Sequence, residues 1–328
     1  MGAGHSGDDA HSATVPARAA LAGNPSDGHG GAVVAVPLPC WRAIARAADA
    51  DEFHVVGSEP GDDLWELAAA AGRSLVTVAG APTEATAARI DITTTIPRSV
   101  GLAGSSAIAL AVIRALASRN ADEAWAVTLS DPTAAAVVAH QAEVAQLGIA
   151  AGMQDRLVQA HGEPVLMEFS PDVSAIVLGH PAGQVRHLEW PAGRWLVAHR
   201  QTTAEPSGTV HAGLAQRAPS TDAIMVALAA AARSAAAAID VDDHASLGTA
   251  MDRTFELRAE LLELDPRHVA MVEAVHQAGG HANYTGSGGA VIAFCPDAVS
   301  HDAAIRALEA LPGVELALTP FETPSDEG

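Results

Sequence analysis

The sequence contains no lysine, and all 18 of its basic residues are arginines. With 39 acidic residues, the formal net charge is −21. Proteins that bind nucleic acids need a basic face, so this balance argues against a nucleic-acid partner. The absence of lysine also excludes the Walker loop and the strand lysine of protein kinases. A phosphate site in this chain must therefore use backbone N–H groups, arginine and a metal ion.

Cysteine and long apolar runs are also scarce. The two cysteines, Cys40 and Cys295, are too few for a disulfide framework and lack zinc-site spacing, which fits a reducing cytoplasm. The longest apolar stretches are interrupted by Arg114 and Arg233, short of the roughly 18 residues that a membrane span needs. We therefore expect no membrane partner. Residues 1–14 lack the apolar segment of a signal peptide and predict a disordered tail.

The length of 328 residues predicts two domains, and the 49% hydrophobic content lets each of them bury a core. Short β-branched runs are mixed with alanine-rich helical segments, which indicates the α+β class. A stretch punctuated by Gly and Pro suggests a domain boundary near residue 188. The predicted order is a tail (1–14), an N-terminal domain (15–187), a C-terminal domain (188–320) and an acidic tail (321–328).

Periodicity and turn signals place the elements. The predicted strands are 15–21, 31–38, 89–96, 164–169, 195–200, 290–294 and 314–318. The predicted helices are 105–117, 121–146 with a break at Asp131-Pro132, 221–239, 244–264, 266–278 and 302–311.

The strongest chemical signal is a glycine-rich loop that runs from a predicted strand into a helix start. Its residues are Pro97, Arg98, Ser99, Val100, Gly101, Leu102, Ala103, Gly104, Ser105, Ser106 and Ala107. Free N–H groups and the positive end of the helix dipole favour anions there, and glycine lets the backbone approach phosphate oxygens. The pattern thus predicts a nucleotide phosphate site, with an ordinary serine-capped helix start as the alternative.

This loop resembles the second motif of the GHMP kinases, with one residue more than the commonest form. Residues 18–27 (RAALAGNPSD) are similar to the first family motif and residues 285–289 (TGSGG) to the third, in the same order. The resemblance implies the family fold. That fold has an N-terminal domain like that of ribosomal protein S5 and a ferredoxin-like C-terminal domain, with the active site between them.

Within that family the likeness is to the glucuronokinases. It is carried by GNPSD (23–27), IPR (96–98), GMQDR (152–156), SGTVH (207–211), FELR (255–258) and YTGSGGA (284–290). The resemblance implies ATP-dependent phosphorylation of the anomeric hydroxyl of D-glucuronate, giving glucuronate 1-phosphate.

The resemblance also implies catalytic roles. Asp155 occupies the place of the family's catalytic aspartate, and Glu143, 12 residues earlier, that of the Mg²⁺-binding glutamate. A cation that holds phosphates needs few protein oxygens, so Glu143 and Ser106 are the expected metal ligands. Taken alone, Asp155 also suits a helix start and Glu143 a solvated helix face.

The first motif implies substrate contacts, with Arg18 stabilising charge near the transferred group and Asp27 accepting hydrogen bonds from sugar hydroxyls. Asn24 stands where galactokinases carry glutamate. A uronate carboxylate needs a cation, for which Arg200, Arg258 and His211 are candidates. In the third motif, Gly286, Ser287 and Gly288 are expected near the phosphates; a plain β-turn is the alternative.

Other functions remain open on the sequence alone. One is a GHMP kinase for galacturonate, a galactose-like sugar or a non-sugar alcohol; another is a catalytically silent sugar or nucleotide sensor of the same fold. We expect a cytoplasmic monomer or homodimer that uses ATP and Mg²⁺ on a small sugar or sugar acid.

Overall fold

Two sheets covered by helices, and a small antiparallel pair of strands (175–177 and 180–182), form the part of the chain that a computed structural model describes, residues 11–200 and 220–323. The strands are β1 (Ser12–Ala22), β2 (Ala32–Asp49), β3 (His54–Val55), β4 (Ala88–Thr94), β5 (Val165–Glu168), β6 (Ala175–Val177), β7 (His180–Ala182), β8 (Gln184–His187), β9 (Arg194–Arg200), β10 (His281–Tyr284), β11 (Ala290–Cys295) and β12 (Val314–Ala317). The helices are α1 (Asp63–Val78), α2 (Gly104–Arg119), α3 (Ala124–Thr128), α4 (Pro132–Gln141), α5 (Gln154–His161), α6 (Ser220–Asp240), α7 (His244–Leu261), α8 (Pro266–Gln277) and α9 (Ala298–Glu309).

The first sheet is built around β2, whose 18 residues reach three neighbours. β1 pairs antiparallel with one edge of β2, while β4 and β5 share the other edge. The strand order is β3-β4-β2-β5-β8, with β1 beside β2. The first seven residues of β2, AVVAVPL, are buried throughout, as expected of a strand covered on both faces. Helix α2 packs on β1 and β2, and its alanines allow close contact.

The second sheet has the order β10-β11-β9-β12, with antiparallel neighbours. Side chains alternate along β9. Trp195 and Val197 join the large core shared with the first sheet, whereas Leu196 and Ala198 join a second core under α8 and α9. The two halves of the chain are thus joined by one continuous hydrophobic core, and the active-site motifs lie where they meet.

The predicted α+β class is confirmed. The structure differs from the predicted elements at α1, β3, β6, β7, β8 and β10, for which no element was predicted, and at the helix predicted for 121–146, which is divided into α3, α4 and a π-helical turn. β1 begins at Ser12, inside the predicted tail. The boundary near residue 188 stays a prediction: β8 of the first sheet ends at His187 and β9 of the second begins at Arg194.

Residues 222–240 of α6 are long and apolar enough to cross a membrane by length and composition alone. Half of this stretch is buried inside the molecule, and α6 packs on β2 and α7. A helix that is mostly buried in a water-soluble core meets the same test, so α6 is weak evidence for a membrane span.

Buried histidines make the stability of the fold depend on pH. Burial lowers the pKa of His140, His161, His199 and His268. Such a histidine stays neutral in the folded chain, whereas the unfolded chain takes up a proton below about pH 6.5, so stability falls as pH drops through that value. His276 acts in the opposite sense, because its hydrogen bond with Asp252 raises its pKa. Its contribution is present below about pH 6.5 and is lost as pH rises through the raised value.

We expect the four neutral histidines to outweigh His276. The urea midpoint at pH 5.5 should therefore lie below that at pH 7.5, a range in which ordinary carboxylates do not titrate. His276→Gln removes the opposing contribution and should steepen the fall. A midpoint that holds steady or rises on acidification would contradict this account.

Candidate active site

The loop between β4 and α2 is held in a conformation that L-residues seldom adopt. Ser99 and Ala103 have φ of 57° and 61°, and Gly101 has φ of 75°. Val100 and Leu102 are buried and anchor the loop, while Gly104 begins α2. Non-glycine residues at positive φ cost roughly 1–3 kcal/mol each and persist where surrounding contacts fix them, often at functional sites. The loop is therefore a rigid entrance to the helix N-terminus.

The third-motif loop lies directly against this entrance. A Cβ on Gly101 would overlap the carbonyl oxygen of Thr285 and lie 2.8 Å from that of Gly288. A Cβ on Gly289 would lie 2.6 Å from the Cα of Val100. Gly101 and Gly289 thus allow the two loops to pack closely. This contact joins the two halves of the chain at the candidate phosphate site.

Arg18 joins Asp155 to the same loop. Its Nε donates to Asp155 Oδ1 at 2.6 Å, and its Nη1 donates to the carbonyl oxygen of Gly101 at 2.7 Å. Arg18 is buried in β1, whereas the Asp155 side chain, in the first turn of α5, remains 20% exposed. A carboxylate that solvent can reach is thereby fixed beside the glycine-rich loop.

Glu143 lies on the π-helical turn Ala142–Gln146, a rare conformation that recurs at functional sites. It is 1% exposed. Arg156 donates to its Oε2 from Nε at 2.7 Å and from Nη2, and the hydroxyl of Ser105 donates to Oε1 at 2.9 Å. Burial alone would lower the pKa of Arg156, but Glu143 and then Asp155 raise it above its ordinary value.

The hydroxyl beside Glu143 belongs to Ser105, whereas the expected partner was Ser106. Ser106 is buried and donates to Oε1 of Gln159 at 2.6 Å and to the carbonyl oxygen of Ala103 at 3.1 Å. Consecutive helix residues point about 100° apart. Ser105 and Ser106 therefore face different partners, and only the hydroxyl of Ser105 reaches Glu143.

The donor chemistry beside Ser105 fits Mg²⁺. A hydroxyl and the Oε1 of Glu143 are adjacent oxygens, which is the ligand type this ion takes, with phosphates and water completing the shell. Oε2 is held by Arg156, whereas Oε1 accepts only from the hydroxyl of Ser105 among the hydrogen bonds described above. Within the described ranges no group of three or more His, Cys, Asp or Glu could hold a metal, so any Mg²⁺ would depend mainly on bound phosphate.

The first-motif residues are buried where the two halves meet. Asp27 accepts from Nε2 of Gln154 at 3.1 Å, and Gly152 lies so close to its carboxylate that no Cβ would fit. Asn24 donates to the carbonyl oxygen of Tyr284 at 3.2 Å and accepts from Asn283 at 3.0 Å. Asn24 is 1% exposed, so its side chain links the two halves and the predicted sugar contact is not available to it.

Arg258 and Arg200, two of the residues expected to bind a substrate carboxylate, make other contacts in this structure. Arg258 is 2% exposed and donates to the carbonyl oxygens of Tyr284 and Gly286, so it cannot meet a substrate in this conformation. Strand alternation puts Arg200 on the face of β9 that packs on the second core, and its Nε lies near Gly313. His211 and the segment 207–211 lie outside the described residues.

No role was predicted for three buried side chains that organise the site. Arg156 donates a hydrogen bond to Glu143, Gln154 donates one to Asp27, and Gln159 accepts one from the hydroxyl of Ser106. All three lie on α5, beside or near Asp155. Their position within a few residues of Asp155 is the sequence feature that could have pointed to them, although their partners are distant in sequence.

Solved structures share this fold. Streptococcus pneumoniae phosphomevalonate kinase, in complex with phosphomevalonate and AMPPNP, has a TM-score of 0.75 at 16% identity, with 93% of this chain and 98% of that chain covered. Lactococcus lactis galactokinase complexed with galactose has a TM-score of 0.70 at 14% identity, with 94% and 92% covered.

Two curated relatives from Arabidopsis thaliana are similar in sequence. Glucuronokinase 1 is 31% identical over 215 residues, and probable glucuronokinase 2 is 30% identical over 216 residues. Each alignment covers 63% of this chain and spans 57% of the relative's length.

Family models match both halves of the chain. The GHMP kinases N terminal domain matches residues 65–163 and the GHMP kinases C terminal domain matches residues 228–313. These matches include the glycine-rich loop, Glu143, Asp155 and the third-motif residues 285–289, and they agree with the fold. The chain belongs to the GHMP kinase family.

Proposed function

We propose that this protein is an ATP-dependent kinase that transfers the terminal phosphoryl group to a hydroxyl of a small sugar or sugar acid, with ATP and Mg²⁺ as cofactors. One observation carries the proposal. Arg18 binds the Asp155 carboxylate at 2.6 Å and the carbonyl of Gly101 at 2.7 Å, so an accessible acid lies beside a loop built for phosphate. A binding protein that performs no transfer would not need that acid.

In the proposed mechanism, the N–H groups at the start of α2 hold the nucleotide phosphates. Asp155 orients the acceptor hydroxyl toward the γ-phosphorus and takes its proton, while Arg18 keeps the carboxylate in place. Mg²⁺ bound between phosphate oxygens, Ser105 and Glu143 would neutralise charge on the transferred group. Positioning and charge stabilisation supply most of the rate in phosphoryl transfer.

D-Glucuronate is the proposed acceptor, with transfer to its anomeric hydroxyl to give glucuronate 1-phosphate. The support is the pair of glucuronokinase relatives at 31% and 30% identity, together with the resemblance of the segments quoted above, among them GMQDR (152–156), to that group. An anomeric hydroxyl is more acidic than an ordinary alcohol, so a carboxylate base suffices. We further propose a cytoplasmic location and a monomer or homodimer.

The substrate is tested by incubating the protein with MgATP and single acceptors, namely glucuronate, galacturonate, galactose and mevalonate. We expect ADP release above background with glucuronate, and ³¹P NMR showing a phosphate coupled to the anomeric proton. Faster ADP release with another acceptor would replace glucuronate and retain the kinase. Failure of every acceptor to stimulate ADP release would favour a silent sensor.

The contact between Ser105 and Glu143 leads us to propose Ser105 as the metal ligand in place of Ser106, which gives a further prediction. Ser105→Ala removes the hydroxyl beside Glu143, so the Mg²⁺ concentration for half-maximal activity should rise severalfold. Mn²⁺ binding to the protein–ATP complex, followed by electron paramagnetic resonance, should weaken in parallel. Ser106→Ala removes a buried hydrogen bond to Gln159 and should lower stability by about 1 kcal/mol with little change in metal affinity. A loss of metal affinity in Ser106→Ala but not in Ser105→Ala would indicate that Ser106 is the metal ligand.

A further inference from the structure

Arg258 is a fully buried cation without a carboxylate partner. It lies on α7, is 2% exposed, and donates from Nη1 to the carbonyl oxygen of Tyr284 at 3.3 Å and from Nη2 to that of Gly286 at 2.8 Å. Its Nε is buried without a hydrogen-bond partner, and its guanidinium lies 5.5 Å from the centre of the Tyr284 ring. Among the described residues, no Asp or Glu pairs with it.

The other buried arginines of this region are compensated. Arg18 is paired with Asp155, and Arg156 with Glu143. Taking a charge out of water costs several kcal/mol, which an ion partner or well-formed hydrogen bonds must offset. Two carbonyl oxygens and an aromatic face offset it only in part, and burial, together with the charge of Arg18, lowers the pKa of Arg258 to about 10.

The position of Arg258 connects it to the phosphate loops. Gly286, whose carbonyl accepts from Arg258, begins the third-motif turn, and a Cβ there would lie 2.6 Å from the carbonyl oxygen of Gly101 and 2.8 Å from Nη2 of Arg18. Arg258 therefore supports, from behind, the turn that presses on the second-motif loop. Arg18 is near enough to lower the pKa of Arg258, and Arg18 also donates to the carbonyl of Gly101, so the charge of Arg258 lies near the proposed phosphate site.

We propose that Arg258 is a positioning residue for nucleotide binding, which holds the third-motif turn against the second-motif loop and whose buried charge is compensated when the anionic nucleotide binds. This inference rests on the proposed function. In this role Arg258 acts by binding the carbonyl oxygen of Gly286, and the sequence-based expectation that it binds a substrate carboxylate is replaced. This role also implies that Arg258 serves binding at the expense of the stability of the unliganded protein.

Arg258→Met separates the two effects. Without nucleotide, its melting temperature should stay within about 3 °C of wild type or rise, since an uncompensated charge is replaced by an apolar chain and half-exposed Gly286 can bond to water. The Kd for MgADP, measured by calorimetry, should rise at least about 10-fold, within the usual range of coupling between sites. The KM for ATP should rise likewise, with kcat at saturating ATP changed less than about threefold.

Arg258→Lys tests whether charge is the agent. It keeps the cation but loses the planar fork, so we expect it to recover at least half of the lost affinity on a logarithmic scale. Phe255→Leu is the matched packing control, since Phe255 stacks on Tyr284 at 5.8 Å between ring centres. It should lower the melting temperature and leave the Kd for MgADP unchanged.

An Arg258→Met protein that fails to fold, melts more than about 5 °C below wild type, or binds MgADP as wild type does would overturn the inference. So would an Arg258→Lys protein that binds as weakly as Arg258→Met. A wild-type protein that does not bind MgADP would instead overturn the proposed function, and with it the role of Arg258, so the two failures are distinguishable.

Discussion

Asp155→Asn should lower kcat by roughly 10² to 10⁴-fold, the usual contribution of a positioned general base. The amide keeps the shape of the side chain and can still accept a hydrogen bond from Arg18, but it cannot take the acceptor proton. MgADP affinity should stay close to wild type, because Asp155 lies on α5 and the phosphate-binding N–H groups lie on the loop before α2. Steady-state kinetics with glucuronate and calorimetry with MgADP measure the two effects.

Asp63→Asn controls for the loss of charge at a helix N-terminus, although exposed Asp63 does not pair with a buried arginine as Asp155 does. Asp63 lies in the first turn of α1, as Asp155 lies in that of α5, so both changes remove a negative charge from a helix N-terminus. The control should alter stability by less than about 1 kcal/mol and leave kcat unchanged. Wild-type kcat in Asp155→Asn would remove Asp155 from the mechanism, and a loss below tenfold would assign it orientation without proton transfer.

Gly101→Ala should weaken nucleotide binding, with the Kd for MgADP rising by about 5- to 150-fold, since packing changes of about 1–3 kcal/mol would act directly on the loop proposed to bind phosphate. The new methyl group would overlap the carbonyl oxygen of Thr285 and crowd that of Gly288, which forces the two phosphate loops apart. The φ of 75° adds strain that only glycine avoids. We expect the free energy of unfolding to fall by about 2–4 kcal/mol.

Gly80→Ala separates the effect of backbone strain at positive φ from the effect of steric overlap between the two loops. Gly80 also has a φ of 75°, but a Cβ there meets nothing within 4 Å. It should lose only about 1 kcal/mol of stability and bind MgADP normally. Equal losses in both variants, measured by urea unfolding and calorimetry, would show that contact between the loops is not what Gly101 provides.

The sequence predicted the fold best where local signals agree with the packing. The helix predicted at 105–117 is α2 (Gly104–Arg119), because a Gly-Ser start and an alanine-rich run favour the same structure that the core requires. The helix α1 was missed, since Gly72 and the segment Val76-Thr77-Val78 weaken its helical pattern and only burial against its neighbours resolves it.

The site shows a sharper limit. The motifs predicted a site around Asp155 and Glu143, but the π-helical turn that carries Glu143 and the buried pairing with Arg156 depend on contacts that spacing does not encode. The identity of the serine beside Glu143 depends on helix rotation, since consecutive residues point about 100° apart. Arg258 was expected to contact a substrate because the sequence alone does not show whether an individual arginine is exposed or buried.

The most direct test of the proposed mechanism is a crystal structure with a non-hydrolysable ATP analogue, Mg²⁺ and glucuronate. We expect the β- and γ-phosphates within about 3 Å of the N–H groups of residues 101–106, and the anomeric oxygen within hydrogen-bond reach of Asp155. A nucleotide bound elsewhere, or an acceptor oxygen that does not approach Asp155, would contradict the account.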